Sequence, residues 1–351
     1  MIDYLLEGYA SRPARITLFG SHSGKNKGDV AILISLLHLL FKEHAEAQVI
    51  LTSKSPKLLS QHIETSLPHV EDRTILVRKS MTSYLGIWTI LDISRSDLIL
   101  IGGGGLFFSR SLWNPFISHL LNIYLISLIC RLLRTPYRLA FVGASHLTTP
   151  KSLQLLRSVL THADRVVTRD TFTYQLFTQV CPTLKHMRQT QDLALAYPYN
   201  KNRAKVLVST QRESLIPARR YVVVNIFDGM MVNEPERDLM TMARKIMYHL
   251  RRDYPQDTYD LVLYANNEST SCFADIQREI RDLSVFSSRE HSVDEVLVLL
   301  ENAAFIFATQ LHVSLFSQLV KTPSVALAYD EKVTTQLTDI GCSNIIGFKD
   351  L

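Results

Sequence analysis

The feature of this 351-residue chain that most constrains its fold is an alternation, repeated twice, of short apolar runs with longer helical stretches. Such alternation predicts parallel strands covered by helices, because the chain must cross back before a parallel neighbour can begin. The first series predicts strands at Arg15–Phe19, Gln48–Thr52, Leu98–Ile101, Tyr137–Val142 and Arg165–Thr168. The second series predicts strands at Tyr221–Ile226, Leu261–Tyr264, Phe305–Ala308 and Ser324–Ala328.

Amphipathic stretches between these runs predict the covering helices. In the first series they lie at about Asp29–Glu43, Phe116–Arg134, Ser152–Ala163 and Thr171–Val180. In the second series they lie at about Glu236–Tyr254, Ser271–Leu283, Val293–Asn302 and Val313–Val320. Residues 53–96 are less regular and contain no motif that can be interpreted.

The chain is longer than one hydrophobic core usually supports, which predicts two domains. The segment Tyr197–Arg220 is polar and lacks an apolar period, so it is the candidate linker. We therefore expect Rossmann-like domains at residues 1–200 and 201–351, each a doubly wound α/β sheet. Two such domains in sequence predict a GT-B-like protein with its active site in the cleft between them.

The charge balance argues against a nucleic-acid-binding protein. Lys and Arg total 38 against 33 Asp and Glu, and the basic residues are scattered rather than clustered with aromatic residues. The mild positive excess is compatible with anionic substrates. We expect no nucleic-acid partner.

The cysteines and the N-terminus indicate a cytoplasmic protein. The four cysteines have neither metal-ligand spacing nor the density of a disulfide framework. The first residues lack the basic and apolar regions of a signal peptide. No carboxylate cluster predicts a metal site, so no metal is expected.

One apolar stretch, Pro115–Leu133, has nearly the length of a membrane span. It contains Ser118, His119, Asn122 and Ser127, whose polar groups are unfavourable in hydrocarbon. A buried or interfacial helix is therefore the better prediction, and peripheral association with the inner face of a membrane remains open.

The first candidate site is the glycine-rich segment from Gly20 to Asp29, between a predicted strand and a predicted helix. Glycine lets a ligand approach the backbone, and a helix start attracts anions. The candidate phosphate-binding residues are Gly24, Lys25, Asn26, Gly28 and Asp29. The alternative is a tight turn in which Asp29 caps the helix.

The second candidate site is a run of four glycines that follows the apolar strand beginning at Leu98. Consecutive glycines are entropically unfavourable in an ordered segment, so something must require bare backbone there. Either a ligand or a close chain crossing would do so. The position at the carboxyl end of a central strand favours a ligand, bound by Gly103, Gly104 and Gly105.

Two further candidates follow predicted strands. Arg169 could bind a phosphate or carboxylate through its guanidinium fork, or could pair with Asp170, which would cap the next helix. His312 follows a strand of the second series, where a histidine could act as a general acid or base. A purely structural role is the alternative for each.

Taken in order, these segments resemble the polysaccharide pyruvyl transferase family. The resemblance extends over about residues 15 to 335. It rests on Asn26, Gly28 and Asp29, the strand from Asp97 to Leu106, Arg169 with Asp170, Asp192, Gln310 with Leu311 and His312, and Pro323, Tyr329 and Lys332.

The resemblance implies a GT-B-like transferase that uses phosphoenolpyruvate as its donor substrate and needs no cofactor. The acceptor would be a nucleotide- or lipid-linked sugar or a polysaccharide of the cell surface, which receives pyruvate as a ketal. His312 would exchange the proton, and Arg169, Gln310, Leu311 and Lys332 would bind the donor.

Two alternatives depend on departures from the family pattern. Gln310 stands where similar proteins have Arg, and the segment around Gly143 lacks the usual glycine-rich run. A GT-B glycosyltransferase that uses a nucleotide sugar would not need that Arg. A catalytically weakened scaffold protein of polysaccharide assembly would need neither.

Overall fold

The fold was analysed in a computed structural model. It describes residues 1–9, 14–70, 74–82, 84–108, 112–114, 116, 118–145, 147, 149–202, 216–226, 239–265, 276, 278, 283–328 and 331–347. Two compact units are present. The first comprises Met1–Gly24 and Asp29–Pro198, and the second comprises Lys25–Gly28 and Tyr199–Leu351.

The first unit is built around a seven-stranded parallel sheet. Its strands are β1 (Arg15–Phe19), β2 (Gln48–Ser53), β3 (Ile75–Lys79), β4 (Leu98–Phe107), β5 (Tyr137–Ala144), β6 (Arg165–Thr168) and β7 (Met187–Gln189). Its helices are α1 (Ile2–Leu6), α2 (Lys27–Glu43), α3 (Pro56–Ser66), α4 (Thr89–Ser94), α5 (His119–Leu133), α6 (Pro150–His162) and α7 (Thr171–Val180). The strand order β3-β2-β1-β4-β5-β6-β7 reverses between β1 and β4.

The second unit repeats this topology in a six-stranded parallel sheet. Its strands are β8 (Arg220–Asn225), β9 (Tyr259–Ala265), β10 (Leu283–Ser287), β11 (Phe305–Ala308), β12 (Ser324–Ala328) and β13 (Ile345–Gly347). The helices described are α8 (Leu239–Asp253), α9 (Val293–Glu301), α10 (Leu311–Val320) and α11 (Glu331–Asp339). The order β10-β9-β8-β11-β12-β13 reverses between β8 and β11.

The central strands are apolar on both faces because helices cover both faces of a parallel sheet. In β4 the residues Leu98–Ile101 are fully buried, and β5 is buried along its whole length. Both halves are Rossmann-like, which confirms the predicted fold class. In sheets of this kind, ligands bind beyond the carboxyl ends of the strands where the order reverses.

The predicted strands and helices agree closely with the structure, with some differences. β4 continues through the glycine run to Phe107, six residues beyond its predicted end at Ile101. The interval 53–96, which contained no interpretable motif, forms α3, β3 and α4. Strands β7, β10 and β13 and helices α1 and α11 had no predicted counterpart. Of the predicted helix Ser271–Leu283, residues 271–275, 277 and 279–282 lie outside the described residues, and Leu283 begins β10.

The first unit ends at Pro198, two residues before the predicted boundary at 200. Residues 203–215 of the predicted linker lie outside the described residues. In the described part of the chain no helix combines the length and apolar character required to cross a membrane. Helix α5 starts at His119, and its buried residues pack against the core of the first unit.

Candidate functional site

The loop before α2 has a different helix cap from the predicted one. The carboxamide oxygen of Asn26 accepts a hydrogen bond from the Gly28 amide at 3.0 Å, and α2 begins at Lys27. Asn26 therefore occupies the N-cap position. Asp29 lies in the first turn instead, where its carboxylate accepts a 2.8 Å hydrogen bond from the Ser21 hydroxyl. The alternative in which Asp29 caps this helix is wrong, because the helix begins at Lys27, two residues before its predicted start.

Gly24 and the two lysines of this loop have different environments. Gly24 is buried, has φ of +75° and accepts a 3.0 Å hydrogen bond from Nε2 of His62 through its carbonyl oxygen. The side chain of Lys25 is exposed. Lys27 is only 2% exposed. Burial lowers the pKa of Lys27 to about 8, and the negative charge of Glu295 opposes that shift. The buried cation at Lys27 was not among the predicted site residues.

The four glycines continue strand β4 rather than forming a loop after it. A Cβ atom on Gly102 would lie 1.9 Å from the Ala140 carbonyl oxygen of β5, so the neighbouring strand explains this glycine. Gly103 and Gly104 have φ of +81° and +130°, which side-chain-bearing residues rarely adopt. Close chain approach and backbone conformation thus account for these three glycines, and ligand binding by Gly103, Gly104 and Gly105 stays a prediction.

His22 is a buried histidine at the point where the first strand order reverses. It is 4% exposed, and a Cβ atom on Gly20 would lie 2.6 Å from its Nε2. Burial lowers the pKa of His22 to about 3, so the imidazole is neutral near pH 7. Neither ring nitrogen has a hydrogen-bond partner among the residues that the structure describes.

Two further titratable side chains of the first unit, Tyr84 and His119, are hydrogen-bonded to each other. The hydroxyl of the buried Tyr84 is hydrogen-bonded to Nδ1 of His119, whose ring also packs against Phe108. Burial, together with the negative charge of Asp29, raises the pKa of Tyr84 well above its ordinary value. Tyr84 therefore stays protonated near neutral pH. No sequence pattern had indicated this pair, because its members lie 35 residues apart.

Arg169 lies in a buried ion-pair network. Its Nη1 donates to the Asp192 carboxylate at 2.7 Å, and its Nε lies 3.7 Å from the Asp170 carboxylate. Asp170 also caps α7 by accepting from the Thr173 amide, as predicted. The Arg–Asp pairing that was the alternative for Arg169 is present. Its role in donor binding stays a prediction.

His312 lies in the first turn of α10, beyond the carboxyl end of β11. A Cβ atom on Gly28 would lie 2.1 Å from Cγ and 2.2 Å from Nδ1 of His312. The bare Cα of Gly28 thus packs against the imidazole. Both residues belong to the second unit, since Lys25–Gly28 is part of it. The structure brings together two motifs that are almost three hundred residues apart.

Asn225, at the end of β8, fixes the backbone that leads into His312. Its carboxamide oxygen accepts a hydrogen bond from the backbone amide of Gln310 at 2.9 Å, and its carboxamide nitrogen donates to the backbone carbonyl of Tyr264 at 3.3 Å. Asn225 has no exposed surface. This positioning residue was missed, because its partners are distant in sequence, one on strand β9 and one at the start of helix α10.

We expect Asn225→Leu to destabilise the second unit by about 2–5 kcal/mol, because it removes a hydrogen-bond partner from the half-buried Gln310 backbone amide and from the Tyr264 carbonyl. Urea unfolding would measure the change. Asn302→Leu, at an exposed helix end, is the control and should change the free energy of unfolding by about 0.5 kcal/mol or less. Equal effects of the two substitutions would contradict the role given to Asn225.

The remaining predicted donor residues are only partly described. Leu311 is half-buried and packs against the apolar cluster of α11 and β12. Gln310 is the N-cap residue of α10 and makes no side-chain capping bond. Lys332 lies in α11, but its side chain is outside the described residues, as is Tyr329. The part of the chain that the structure describes contains no group of three or more His, Cys, Asp or Glu residues that could hold a metal ion.

Solved structures with the same fold share little sequence with this chain. A UDP-GlcNAc 2-epimerase from Methanocaldococcus jannaschii has a TM-score of 0.63 at 12% identity, over 97% of this chain and 89% of its own. A UDP co-structure of MnaA from S. aureus has a TM-score of 0.60 at 12% identity, over 95% and 84%. A UDP-GlcNAc 2-epimerase from Neisseria meningitidis, bound to UDP-GlcNAc, has a TM-score of 0.59 at 11% identity, over 92% and 85%. At such identities the likeness establishes the GT-B-like fold alone.

No curated protein sequence matches this chain. The sequence pattern of polysaccharide pyruvyl transferases does match, over residues 26–331. The matched region begins at Asn26, the cap of α2, and includes Gly28, Arg169, Asp192 and His312. It thus contains both sides of the contact between Gly28 and the imidazole, and the chain belongs to the polysaccharide pyruvyl transferase family.

Proposed function

We propose that this protein transfers pyruvate from phosphoenolpyruvate to two hydroxyl groups of one sugar and so forms a cyclic ketal. Family membership supports a transferase acting in this chemistry. The observation that carries the proposal is the contact between Gly28 and His312, because it joins two motifs of the family around one titratable side chain. The acceptor would be a nucleotide- or lipid-linked sugar of a cell-surface polysaccharide, reached from the cytoplasm.

The reaction requires one proton to be delivered and two to be removed. The methylene carbon of phosphoenolpyruvate takes up a proton, and the adjacent carbon becomes electrophilic. A first sugar hydroxyl attacks that carbon and loses its proton. Phosphate then leaves with the electrons of its C–O bond, and a second hydroxyl attacks and loses its proton. Of the two protons released, one balances the proton taken up by the methylene and the other goes to phosphate.

His312 is the residue that we assign to proton exchange. An imidazole can both give and take a proton near neutral pH, which this sequence of steps requires. Its ring is held on one side by Gly28, and its backbone follows the Gln310 amide that Asn225 anchors. Those contacts restrict the ring to one place, and orientation of this kind is a large part of enzymatic rate enhancement.

The phosphate and the carboxylate of the donor are negatively charged. They require cations near His312, because the Gln310 side chain is uncharged. The segment Lys25–Gly28, at the start of α2, belongs to the same unit as His312 and contains two lysines, Lys25 and Lys27. We propose that Lys25, whose side chain is exposed, takes the donor's phosphate, with Asn26 and Gly28 shaping the loop. Arg169, Leu311 and Lys332 remain candidate donor ligands.

We expect phosphoenolpyruvate to raise the melting temperature of the purified protein, and Gln310→Arg to increase that rise. A ligand that binds only the folded state stabilises it by mass action, and Arg can bind a carboxylate through two parallel hydrogen bonds. A thermal-shift titration would measure both effects. Gln256→Arg adds the same charge at an exposed position of the second unit and should leave the response unchanged.

The same titration with UDP tests the glycosyltransferase alternative. The S. aureus structure of similar fold contains UDP, which makes it the natural comparison ligand. A response to UDP with none to phosphoenolpyruvate, in the wild type and in Gln310→Arg, would reject the pyruvyl donor. A response to neither ligand would favour a scaffold role.

A further inference from the structure

A patch of exposed apolar side chains lies on the first unit. It is formed by Ile87, Trp88 and Ile90 at the start of α4 and by Leu132 and Leu133 at the end of α5. These side chains are 80%, 51%, 61%, 75% and 39% exposed, in that order. Isolated exposed apolar residues are common, whereas a group of five including Trp marks a contact surface.

The two segments of this patch are neighbours in the fold. Helix α4 packs against α5. The Thr135 hydroxyl, just after α5, donates to the Ile93 carbonyl of α4 at 3.2 Å. The end of α5 therefore lies beside the end of α4, and the two groups of exposed apolar side chains lie on neighbouring helices of the first unit.

Basic side chains accompany this apolar patch. Lys79, Arg95, Arg131 and Arg134 are exposed, and the Arg78 guanidinium lies 5.6 Å from the Trp88 ring centroid. The described residues in 76–98 and 118–136 include only two acidic side chains. These are Asp92, which is 2% exposed and lies 3.5 Å from Arg78, and Asp97, which accepts from the Arg15 amide. Four exposed cations thus lie on these segments, while Arg78 is paired with Asp92 and Asp97 is engaged by the Arg15 amide.

We propose that this patch docks the protein on a membrane surface that contains anionic lipid. Trp and long aliphatic side chains enter the boundary between headgroups and acyl chains, and Lys and Arg bind anionic headgroups. A protein partner would need acidic residues to match four exposed cations, and a second copy of this patch would bring like charges together. Charge complementarity therefore favours the lipid surface. The proposal does not depend on the reaction that the protein catalyses.

The test is flotation of the full-length protein with vesicles of phosphatidylcholine alone and of an equal mixture with phosphatidylglycerol. We expect binding to the mixed vesicles only, and weaker binding as salt is raised. The double variant Arg131→Gln, Arg134→Gln should lower the affinity about 30-fold. The matched pair Arg252→Gln, Arg289→Gln, exposed in the second unit, should bind like the wild type.

The apolar contribution needs its own variant. Ile87→Ser with Trp88→Ser should abolish flotation, whereas Tyr248→Ser, at a residue that is 72% exposed in the second unit, should not. Failure of the wild type to float with the mixed vesicles at low salt would overturn the proposal. So would unchanged flotation of the patch variants, or a lipid-free dimer that Trp88→Ser dissociates without any lipid binding by the wild type.

Discussion

Cells that carry His312→Gln in place of the wild-type protein are expected to lose the ketal-linked pyruvate of their polysaccharide. Glutamine retains hydrogen-bonding groups at this position but cannot exchange a proton near neutral pH. Removing a general acid or base typically slows a reaction by about 10²- to 10⁴-fold. The measurement is the pyruvate released by mild acid from isolated polysaccharide. His249→Gln, an exposed histidine in the same unit, is the control and should leave the pyruvate content unchanged.

Gly28→Ala tests the contact beside His312 without altering the histidine. The added Cβ would lie 2.1 Å from the ring Cγ, so the imidazole must move, and displacement by about 1 Å can cost about 100-fold in rate. Alanine is otherwise the better helix former, by up to about 1 kcal/mol. We therefore expect Gly28→Ala to destabilise the wild type but to stabilise His312→Ala. The same change in stability in both backgrounds would show that the ring is not packed against Gly28.

Normal pyruvate content in His312→Gln cells would contradict the catalytic role assigned to His312 and support the scaffold alternative. The amount of folded protein must be compared at the same time, since a lower amount would mimic a lost activity. Urea unfolding of the purified variant provides that comparison. We expect little change in its free energy of unfolding, because glutamine is similar in size to histidine and keeps hydrogen-bonding groups.

The second large effect is on stability, and it arises at Gly143. A Cβ atom there would lie 2.4 Å from Nε of Arg169 and 3.0 Å from its Cζ, so Gly143→Ala must displace the guanidinium. The displaced group would leave Asp170 and Asp192, which are 0% and 2% exposed, without their buried cation. Breaking a buried ion pair from one side costs about 3–5 kcal/mol. We expect a loss of that size for the first unit, measured by urea unfolding.

A double-mutant cycle separates this mechanism from a general effect of alanine in β5. Arg169→Met should destabilise the first unit to a similar degree, because it removes the same cation from the two buried carboxylates. Adding Gly143→Ala to that variant should then cost little, since the clashing group is gone. Additive losses would mean that Gly143 matters for a reason other than Arg169.

Most of the fold could be predicted from the sequence because parallel strands leave a strong local signal. A strand buried on both faces must be a continuous apolar run, and the crossover to its neighbour must be a helix. Strands β1, β6, β11 and β12 have the predicted bounds for this reason. Helices α3 and α4 and strand β3 were missed, since β3 is half-exposed and α4 is six residues long. In short or half-buried elements the pattern of apolar residues is too weak for the element to be predicted from the sequence.

The sequence by itself determined the two Rossmann-like halves and the order of the family motifs, because strand and helix patterns and family motifs are local features of a chain. Only the tertiary structure decided what those motifs contact. The sheets bring together residues that are far apart in the chain. Gly28 packs against His312, the Asn225 side chain accepts from the Gln310 backbone amide, and Gly143 packs against Arg169. The sequence alone had also left open why β4 contains consecutive glycines. In the structure, the neighbouring strand lies too close to Gly102 for a side chain, and Gly103 and Gly104 have positive φ angles.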